Sequence, residues 1–484
     1  MLPQDKDLIL KQKVKLYNNI GKMSDCEGRL LAELEVYPTP RIIWEFEILG
    51  EMNCNVFNKI PGQIHELNPL TGHNFYIEKY GFFGEIINDF GALKAKRGFT
   101  NQVFYDDIEA EAHTFVFYLP NAIFHHKSLN QTELKKIVID TETNLEIEEK
   151  SSLEGYYIES VIDDIWSIQL QVNKDALEWL KPENRNTGTL ITTFGVLYQQ
   201  KSIQAKNVSE LQSLTLKSAI ERIQSFSHFL SFANGGYTAP LYIQGDNYTH
   251  NQSSFEKTPC AVALVSQTTP VEQLGESWVM GSSDLKVFMA CFHSFERMMQ
   301  NLYWQETFRF VLNQYFQAIR PKMTWEIKAS AAGAALERLS YTILVEEETD
   351  ATRKAQCELL FDITQGNIAK SRWNLGRGAG QENISVTGKR LKLLLEHIGL
   401  TKSRSYNDID DVPLFLGVRN DAVHPRVGAM TIGERWKLIN QAIQWIDEVL
   451  LWRLGYNGEY LDRVRGMETS TNPRYELSLR DLNW

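Results

Sequence analysis

Residues 411–455 read DVPLFLGVRNDAVHPRVGAMTIGERWKLINQAIQWIDEVLLWRLG, and this stretch decides the fold of the last third of the chain. Its apolar side chains recur at helical spacing, which predicts one helix over residues 411–423 and a long last helix over residues 432–454. In the first helix, the apolar residues at helical spacing are Leu414, Phe415 and Val418. The segment is therefore part of a helical domain.

The end of the first of these helices is marked by Pro425. A proline disfavours helical geometry at the residue before it, so we expect His424 to lie at or just past the helix end. Arg419 lies five positions earlier on the same helix. The two side chains are therefore expected near an exposed helix terminus, where a substrate can reach them.

The residues before this segment continue the helical pattern. Ser283 and Asp284 are suited to cap a helix that carries apolar residues at helical spacing as far as Met299. A second helix is expected to stop at Pro321, and Thr324 is suited to cap a third that runs through Ile343. Further helices are predicted over residues 351–369 and 386–398. The aromatic stripes on these helices are interpreted as core.

The first half of the chain has a different pattern. Stretches such as RIIWEFEIL and SIQLQV alternate apolar and polar residues and are rich in β-branched and aromatic residues, which predicts antiparallel sheets with one face in water. A helix over residues 209–232, ending at Asn234-Gly235-Gly236, and two strands, APLYIQ and AVALVS, follow. The predicted fold class is α+β: a β-rich N-terminal region followed by an all-α bundle. The predicted domains are a β-rich domain over 1–205, a mixed connecting segment over 206–282, a helical domain over 283–460 and a tail over 461–484.

Composition bounds the class of protein. The 484 residues carry a net charge of −11, with 43% hydrophobic residues, as in a soluble globular protein. The five cysteines are scattered, and the chain shows no apolar run of membrane-spanning length and no leader-like start. We therefore expect a cytoplasmic protein with no membrane contact, no cofactor and no metal.

Charge is unevenly distributed along the chain. Residues 371–484 hold 16 Lys and Arg against 14 Asp and Glu, a net charge of +2, so the other residues carry −13. An acidic surface repels a polyphosphate, so any nucleic-acid chemistry is expected in the C-terminal part. Taken alone, a sum of +2 also fits an ordinary protein surface.

The pair of Arg419 and His424 suits cleavage of a phosphodiester bond in RNA. A guanidinium grips two phosphate oxygens and stabilises the charge of the transition state. An imidazole titrates near neutral pH and can move the proton of a 2′-hydroxyl or of the leaving oxygen. Positions five apart lie about 140° around an ideal helix, so two copies of the motif across a twofold axis would complete one site.

Arg419-Asn420-Asp421-Ala422-Val423-His424 resembles the R-x4-6-H motif of HEPN domains, in its Arg-Asn-x-x-x-His form. The order of elements is also similar, because the motif lies near the end of the penultimate helix of a bundle. The β-rich first half followed by LSFANGGYTAPLYIQG resembles the ApeA group of bacterial anti-phage HEPN proteins.

The resemblance implies a homodimeric, metal-independent endoribonuclease that leaves a 2′,3′-cyclic phosphate and a 5′-hydroxyl. It implies abortive-infection defence with RNA, tRNA included, as substrate, and an N-terminal region that senses a phage-derived trigger. Arg419 and His424 match the catalytic pair, and Asn420 matches the polar residue after the Arg. Glu337, on an earlier helix, is the looser match to an acidic residue that faces the motif. It has no basic neighbour one helical turn away, so its cation must come from another helix, and Arg419 is one such cation.

Two alternatives remain open for the motif. Arg419 and His424 can cap a helix end and pair with Asp421 or Glu434, which leaves a catalytically inactive HEPN scaffold for binding or dimerisation. Alternatively, an enzyme of another class lies in the β-rich half, and the helices serve only for dimerisation.

A weaker prediction concerns the segment SRWNLGRGAGQ, residues 371–381. Arg372 and Arg377 are candidate phosphate contacts, and Trp373 is a candidate base-stacking residue. Arg426 is a further candidate RNA contact beside the motif. The alternative for the segment is a flexible connection with a half-buried tryptophan.

Overall fold

The computed structural model divides the chain into two compact units, Met1–Glu272 and Gln273–Trp484. The predicted boundary between residues 282 and 283 falls close to this division. The structure describes residues 13–23, 26–36, 40–48, 65–66, 70–72, 75–77, 80–82, 86–89, 92–100, 102–105, 109–122, 134–139, 146–151, 157–172, 188–199, 211–248, 255–264, 268–279, 282–400, 409–424, 430–464 and 474–476.

The first unit is built from antiparallel strands, as its alternating sequence predicts. Its strands are β1 Lys13–Met23, β2 Cys26–Glu35, β3 Arg41–Ile48, β4 His65–Glu66, β5 Leu70–Gly72, β6 Phe75–Ile77, β7 Tyr80–Phe82, β8 Ile86–Asp89, β9 Ala92–Thr100, β10 Gln102–Tyr105, β11 Glu111–Ala112, β12 Thr114–Pro120, β13 Leu134–Ile139, β14 Glu146–Ser151, β15 Tyr157–Val161, β16 Trp166–Val172, β17 Ile191–Gln199, β18 Leu214–Thr215, β19 Tyr242–Tyr248 and β20 Phe255–Leu264.

Most of these strands join one large sheet. Its order is β15-β16-β17-β12-β19-β20-β10-β6-β5-β1-β2-β3-β9-β7-β4, and β8 pairs with β9. In β2, Leu30, Ala32 and Leu34 are buried alternately, as expected for a strand with one wet face. The prediction of a wet face is wrong for β12, where every residue is buried. β17 and β19 flank the two edges of β12, and its sequence, TFVFYLP, is apolar almost throughout, as in strands that are buried on both faces.

Among the residues that the structure describes, the first unit contains one helix. Helix α1, Leu216–Asn234, begins at Thr215, whose side chain accepts a hydrogen bond from the Ser218 backbone N–H. It ends at Gly235, which has a φ of 70° and donates its N–H to the Ser231 carbonyl. The predicted glycine stop is therefore confirmed, because a left-handed residue terminates a helix most easily as glycine.

The second unit is helical, as its apolar spacing predicts, and the α+β class is confirmed. Its described helices are α2 Ser282–Met289, α3 Phe292–Met299, α4 Leu302–Ile319, α5 Trp325–Tyr341, α6 Ala351–Phe361, α7 Gly366–Arg372, α8 Val386–His397, α9 Val412–Val423 and α10 Ile432–Leu454, and the short strands described there are β21 Glu459–Leu461 and β22 Arg474–Glu476.

Two predicted helices are each divided in the structure. The stretch from Ser283 to Met299 breaks at Ala290 and Cys291, between α2 and α3. The stretch over residues 351–369 breaks after α6, where the Asp362 carboxylate accepts a hydrogen bond from the Thr364 backbone N–H. A side chain that bonds the backbone locally competes with the helix, which explains the second break.

Segments at both ends of the helical unit pack into its core. The Trp278 ring lies 5.1 Å from the Phe288 ring and 5.2 Å from the Tyr456 ring, both measured between centroids. Leu461 and Val464, which lie in the predicted tail, are also buried. Within the described ranges, no helix combines the length and the apolar content that a bilayer crossing requires.

Candidate functional site

Helix α9 carries the Arg-Asn-x-x-x-His motif and is fixed by its buried face. Phe415 and Val418 are fully buried, and the Phe415 ring meets the Trp445 ring of α10 at 6.2 Å. Leu414 is exposed, although its spacing predicted a place on the apolar face. The buried face of α9 directs Arg419 towards α5, which packs against α9.

Arg419 lies across α5 and forms an ion pair with Glu337. A guanidinium nitrogen of Arg419 lies 3.0 Å from Glu337 Oε1. The alkyl chain of Arg419 passes over Gly333, where a Cβ atom would lie only 3.0 Å from Arg419 Cγ. Because Gly333 precedes Glu337 by one helical turn, it leaves room for the side chain that reaches the carboxylate. The prediction that Glu337 takes its cation from another helix is confirmed.

A second guanidinium faces Glu337. Burial lowers the pKa of Arg390, on α8, and the Glu337 charge opposes that shift. Arg390 Nε donates to the Leu360 carbonyl at 2.7 Å, and its guanidinium carbon lies 4.6 Å from the centre of the Phe361 ring. Sequence reasoning missed both Arg390 and Gly333. The sequence did contain a signal that another helix could approach α5 closely. It is the run of small residues Ser330-Ala331-Ala332-Gly333-Ala334-Ala335.

His424 forms the C-cap of α9 with φ −124° and ψ 83°, so the predicted helix end before Pro425 is confirmed. Its backbone N–H donates to the Asn420 carbonyl at 2.8 Å, and both side chains are exposed. Among the described residues, no hydrogen bond or ion pair joins the His424 ring to Arg419 or Glu337. The structure thus joins Arg419 to Glu337, and the His424 ring lies outside this ion pair, at the exposed end of the same helix.

The alternative interpretation of the motif, in which Arg419 and His424 pair with Asp421 or Glu434, is not seen in the ion pairs of the described residues. Glu434 accepts hydrogen bonds from the backbone N–H and hydroxyl of Thr431, in the capping box of α10. Those bonds lower the pKa of Glu434. Arg419 pairs with Glu337, and within the described ranges no ion pair joins it to Asp421 or Glu434.

An open groove borders the motif between α4, α5 and α9. It has a volume of about 590 Å³. Ile327, in its lining, and Val423, which follows the lining residue Ala422 in sequence, are 45% and 52% exposed, which is high for apolar side chains. The groove is lined by Gln314, Gln317, Glu326, Ile327, Ser330, Ala331, Ala334 and Ala422.

The tryptophan of the segment 371–381 contacts two neighbouring residues. Trp373 is half-buried, donates its Nε1–H to the Gln356 carbonyl at 3.3 Å and lies under Lys389 Nζ at 5.6 Å. The half-buried tryptophan of the alternative is therefore confirmed, and the flexibility of the connection stays a prediction. Arg372 and Arg377 are exposed on either side of it. Arg426 lies outside the described residues.

No group of three His, Cys, Asp or Glu side chains in the described part of the chain is arranged to hold a metal ion. The YopA C-terminal domain is the family whose sequence model matches the chain, over residues 301–475. The match begins at the start of α4 and includes Glu337, Arg419 and His424. No curated protein and no solved structure matches the chain.

Proposed function

We propose that the helical unit is a metal-independent endoribonuclease of the HEPN type, in which Arg419 and His424 carry the chemistry. The observation that supports this proposal most directly is the position of Arg419. It is half-exposed, held over Gly333 by Glu337, on the helix whose open end is His424. Such an arginine is oriented but still has donors for a phosphate, which supports a role in stabilising a phosphorane-like transition state.

In this mechanism the RNA supplies its own nucleophile. The His424 imidazole takes the proton of a 2′-hydroxyl, the 2′-oxygen attacks the adjacent phosphorus, and the bond from phosphorus to the 5′-oxygen breaks. An imidazolium from a second copy of the chain protonates the departing 5′-oxygen. The products are a 2′,3′-cyclic phosphate and a 5′-hydroxyl. Glu337 positions Arg419, and the exposed Asn420 side chain is a further polar contact for the substrate.

The active form is proposed to be a homodimer. Arg419 is paired with Glu337 and not with His424 within one copy, and two motifs facing each other would bring an arginine and a histidine to one phosphate. The groove supplies a surface for the second copy, since Ile327 in its lining and Val423, next to the lining residue Ala422, expose apolar area. The same surface supports the second candidate, a catalytically inactive dimerisation scaffold.

The biological setting is part of the proposal and rests on the resemblance to the ApeA group. The ribonuclease would act in the cytoplasm in abortive anti-phage defence, with RNA, tRNA included, as its substrate. The β-rich unit would respond to a phage-derived trigger and restrain the nuclease until then. Arg372, Trp373, Arg377 and Arg426 are proposed as peripheral RNA contacts.

Cleavage of total RNA in EDTA tests the proposal, with full-length protein purified from phage-infected cells so that the proposed trigger is present. We expect cleavage with 2′,3′-cyclic phosphate ends, and a loss of at least about 100-fold in His424→Ala with an unchanged melting temperature. His293→Ala is the matched control, because His293 is an exposed histidine of α3 that is not part of the motif. Equal cleavage by His424→Ala and the parent protein would reject the assignment. A folded parent dimer from the same infected cells that cleaves no RNA would favour the scaffold.

A further inference from the structure

The end of the helical unit at which α9 stops also carries two tryptophans, each with a cation over its ring. The Arg435 guanidinium carbon lies 4.4 Å from the centre of the Trp325 ring. Lys328 Nζ lies 5.7 Å from the centre of the Trp436 ring. Trp325 and Lys328 lie at the start of α5, and Arg435 and Trp436 near the start of α10, so the two pairs cross between the helices. We call these four half-buried residues the aromatic–cation cluster.

The cluster lies near the motif. Glu326 and Ile327, on the same turn of α5 as Trp325 and Lys328, line the groove together with Ala422. Ala422 lies on the last turn of α9, two residues before His424. A ligand that contacts the start of α5 is therefore close to the end of α9.

Few hydrogen bonds or ion pairs within the described residues stabilise the positive charges of the cluster. Arg435 Nε is buried and has no hydrogen-bond partner in the described part of the chain, and neither Arg435 nor Lys328 forms an ion pair there. Burial, and after it the charge of Arg463, lower the pKa of Lys328 to about 8, while Glu276 opposes the shift. A bound anion would therefore stabilise both charged groups.

The surrounding charges favour the same class of ligand. Of the nearby carboxylates, Glu434 is already held in the capping box by Thr431. Cations outnumber carboxylates on the starts of α5 and α10 and on the connection before α5. The cations are Arg320, Lys322, Lys328, Arg435 and Lys437, and the carboxylates are Glu326 and Glu434.

We propose that the aromatic–cation cluster binds an unpaired stretch of RNA beside the cleavage motif, with nucleobases stacked on Trp325 and Trp436 and phosphates against Arg435 and Lys328. Aromatic rings interleaved with cations bind single strands because every base has a π-face and every nucleotide a charge. A continuous duplex offers no free base faces. The inference rests on the proposed function, since it names the substrate class as RNA that is single-stranded at the point of cleavage.

Fluorescence anisotropy with a labelled oligouridylate of about 12 nucleotides tests the binding surface. The measurement uses full-length His424→Ala protein, in which cleavage is silent, and an RNA duplex of the same length for comparison. We expect Trp325→Leu and Trp436→Leu each to weaken single-strand binding by about fivefold or more, whereas Trp436→Phe keeps it within about threefold. Binding of the duplex should be weaker and insensitive to these changes.

Trp452→Leu is the matched control. Trp452 is also half-buried and also on α10, but it lies at the far end of that helix, where its ring meets the His397 ring. Its replacement should leave RNA binding unchanged. Arg435→Gln and Lys328→Gln should each lower the slope of log affinity against log salt by about 0.7, as expected for one lost phosphate contact.

The outcomes separate this inference from the proposed ribonuclease. Folded Trp325→Leu and Trp436→Leu proteins that bind oligouridylate as the parent does would overturn it, as would a parent that binds none. Dimer dissociation by Trp436→Leu without a change in RNA affinity would identify the cluster as a contact between copies and would also overturn it. Loss of binding in the tryptophan variants, with a wild-type protein that cleaves nothing, would support the cluster and reject the ribonuclease.

Discussion

Two arginine–carboxylate pairs of the helical unit have the same chemistry and opposite surroundings. Arg463 Nε lies 2.6 Å from Asp447 Oδ2, and these side chains are 5% and 0% exposed. Arg419 lies 3.0 Å from Glu337, and these side chains are 31% and 30% exposed. The first pair is sealed in the core, whereas the second is open to solvent beside the groove.

The hydrogen bonds around the two arginines differ as well. The Arg463 guanidinium also donates to the Tyr315 hydroxyl and to the Glu276 carbonyl, each at 3.0 Å. Burial and the Asp447 charge raise the pKa of Tyr315, so its hydroxyl stays protonated and donates to Asp447 at 2.5 Å. A buried pair with satisfied donors serves structure, whereas a half-exposed pair keeps donors for a ligand.

Removing the buried arginine should give the largest effect on stability. Arg463→Ala leaves the Asp447 carboxylate buried without its cation, and we expect a loss of about 3–5 kcal/mol in the free energy of unfolding. Urea titration of the full-length protein measures it. Arg353→Ala, which removes a more exposed pair with Glu348, should change stability by less than about 1 kcal/mol.

A double variant checks the cause of that loss. Arg463→Met combined with Asp447→Leu removes both charges, so much of the lost stability should return. A double variant no more stable than Arg463→Ala would show that the contacts of Arg463 with Tyr315 and Glu276, rather than the stranded charge, hold this region together.

Removing the exposed arginine should affect RNA cleavage strongly and stability only slightly. Arg419→Ala is expected to lower RNA cleavage by about 10²–10³-fold and to change the free energy of unfolding by less than about 1 kcal/mol. Arg419→Lys should restore little, because an ammonium cannot grip two phosphate oxygens at once. Cleavage kinetics and urea titration on the same preparations give both values. If Arg419→Ala loses much stability but still cleaves RNA at the parent rate, Arg419 is a structural residue, like Arg463.

The sequence predicted the exposed pair better than the buried one. Glu337 has no basic residue one turn away on its own helix, so a cation from another helix was expected, and Arg419 provides it. The argument works because local spacing excludes partners on the same helix. It did not reveal Gly333 as the point of closest approach, which depends on how α9 crosses α5.

The buried network could not be predicted in the same way. Asp447 interrupts the apolar run of α10, in Trp445-Ile446-Asp447, which signals a buried charge in need of a partner. Its partners come from a helix far earlier in the sequence and from the segment after α10, which we predicted to be a tail. Only the three-dimensional path of the chain brings Tyr315 and Arg463 to one carboxylate.

The buried network extends to Lys328, where a smaller, pH-dependent effect is expected. Lys328 has a pKa of about 8 in the folded protein against 10.5 as its ordinary value, because of burial and the Arg463 charge. Holding its proton therefore destabilises the fold below about pH 8, and this effect disappears as the pH rises towards 10.5. Lys328→Met should stabilise the protein by roughly 1–2 kcal/mol at pH 7, after allowance for partial solvent exposure.

Urea titrations at several pH values check this prediction. The advantage of Lys328→Met should shrink steadily between pH 8 and pH 10. A constant difference across that range would show that the Trp436 ring and Glu276 already compensate the charge of Lys328.

The smallest expected effect tests how closely the exposed arginine is positioned. Gly333→Ala removes a flexible residue from the interior of α5 and should raise the free energy of unfolding by roughly 0.5–1 kcal/mol. The new Cβ would lie 3.0 Å from Arg419 Cγ and 3.4 Å from Nε, so the arginine must shift by a few tenths of an ångström. We therefore expect cleavage to fall by about fivefold while stability rises.

Gly417→Ala is the matched control for this change. Gly417 lies inside α9, and a Cβ there would meet nothing within 4 Å, so the substitution should stabilise the helix without moving Arg419. Both variants should therefore be more stable than the parent, and only Gly333→Ala, whose methyl group contacts the Arg419 side chain, should cleave RNA more slowly. If both alanine variants cleave RNA as fast as the parent, the position of Arg419 over α5 does not limit catalysis, and the exposed pair then serves only to join α9 to α5.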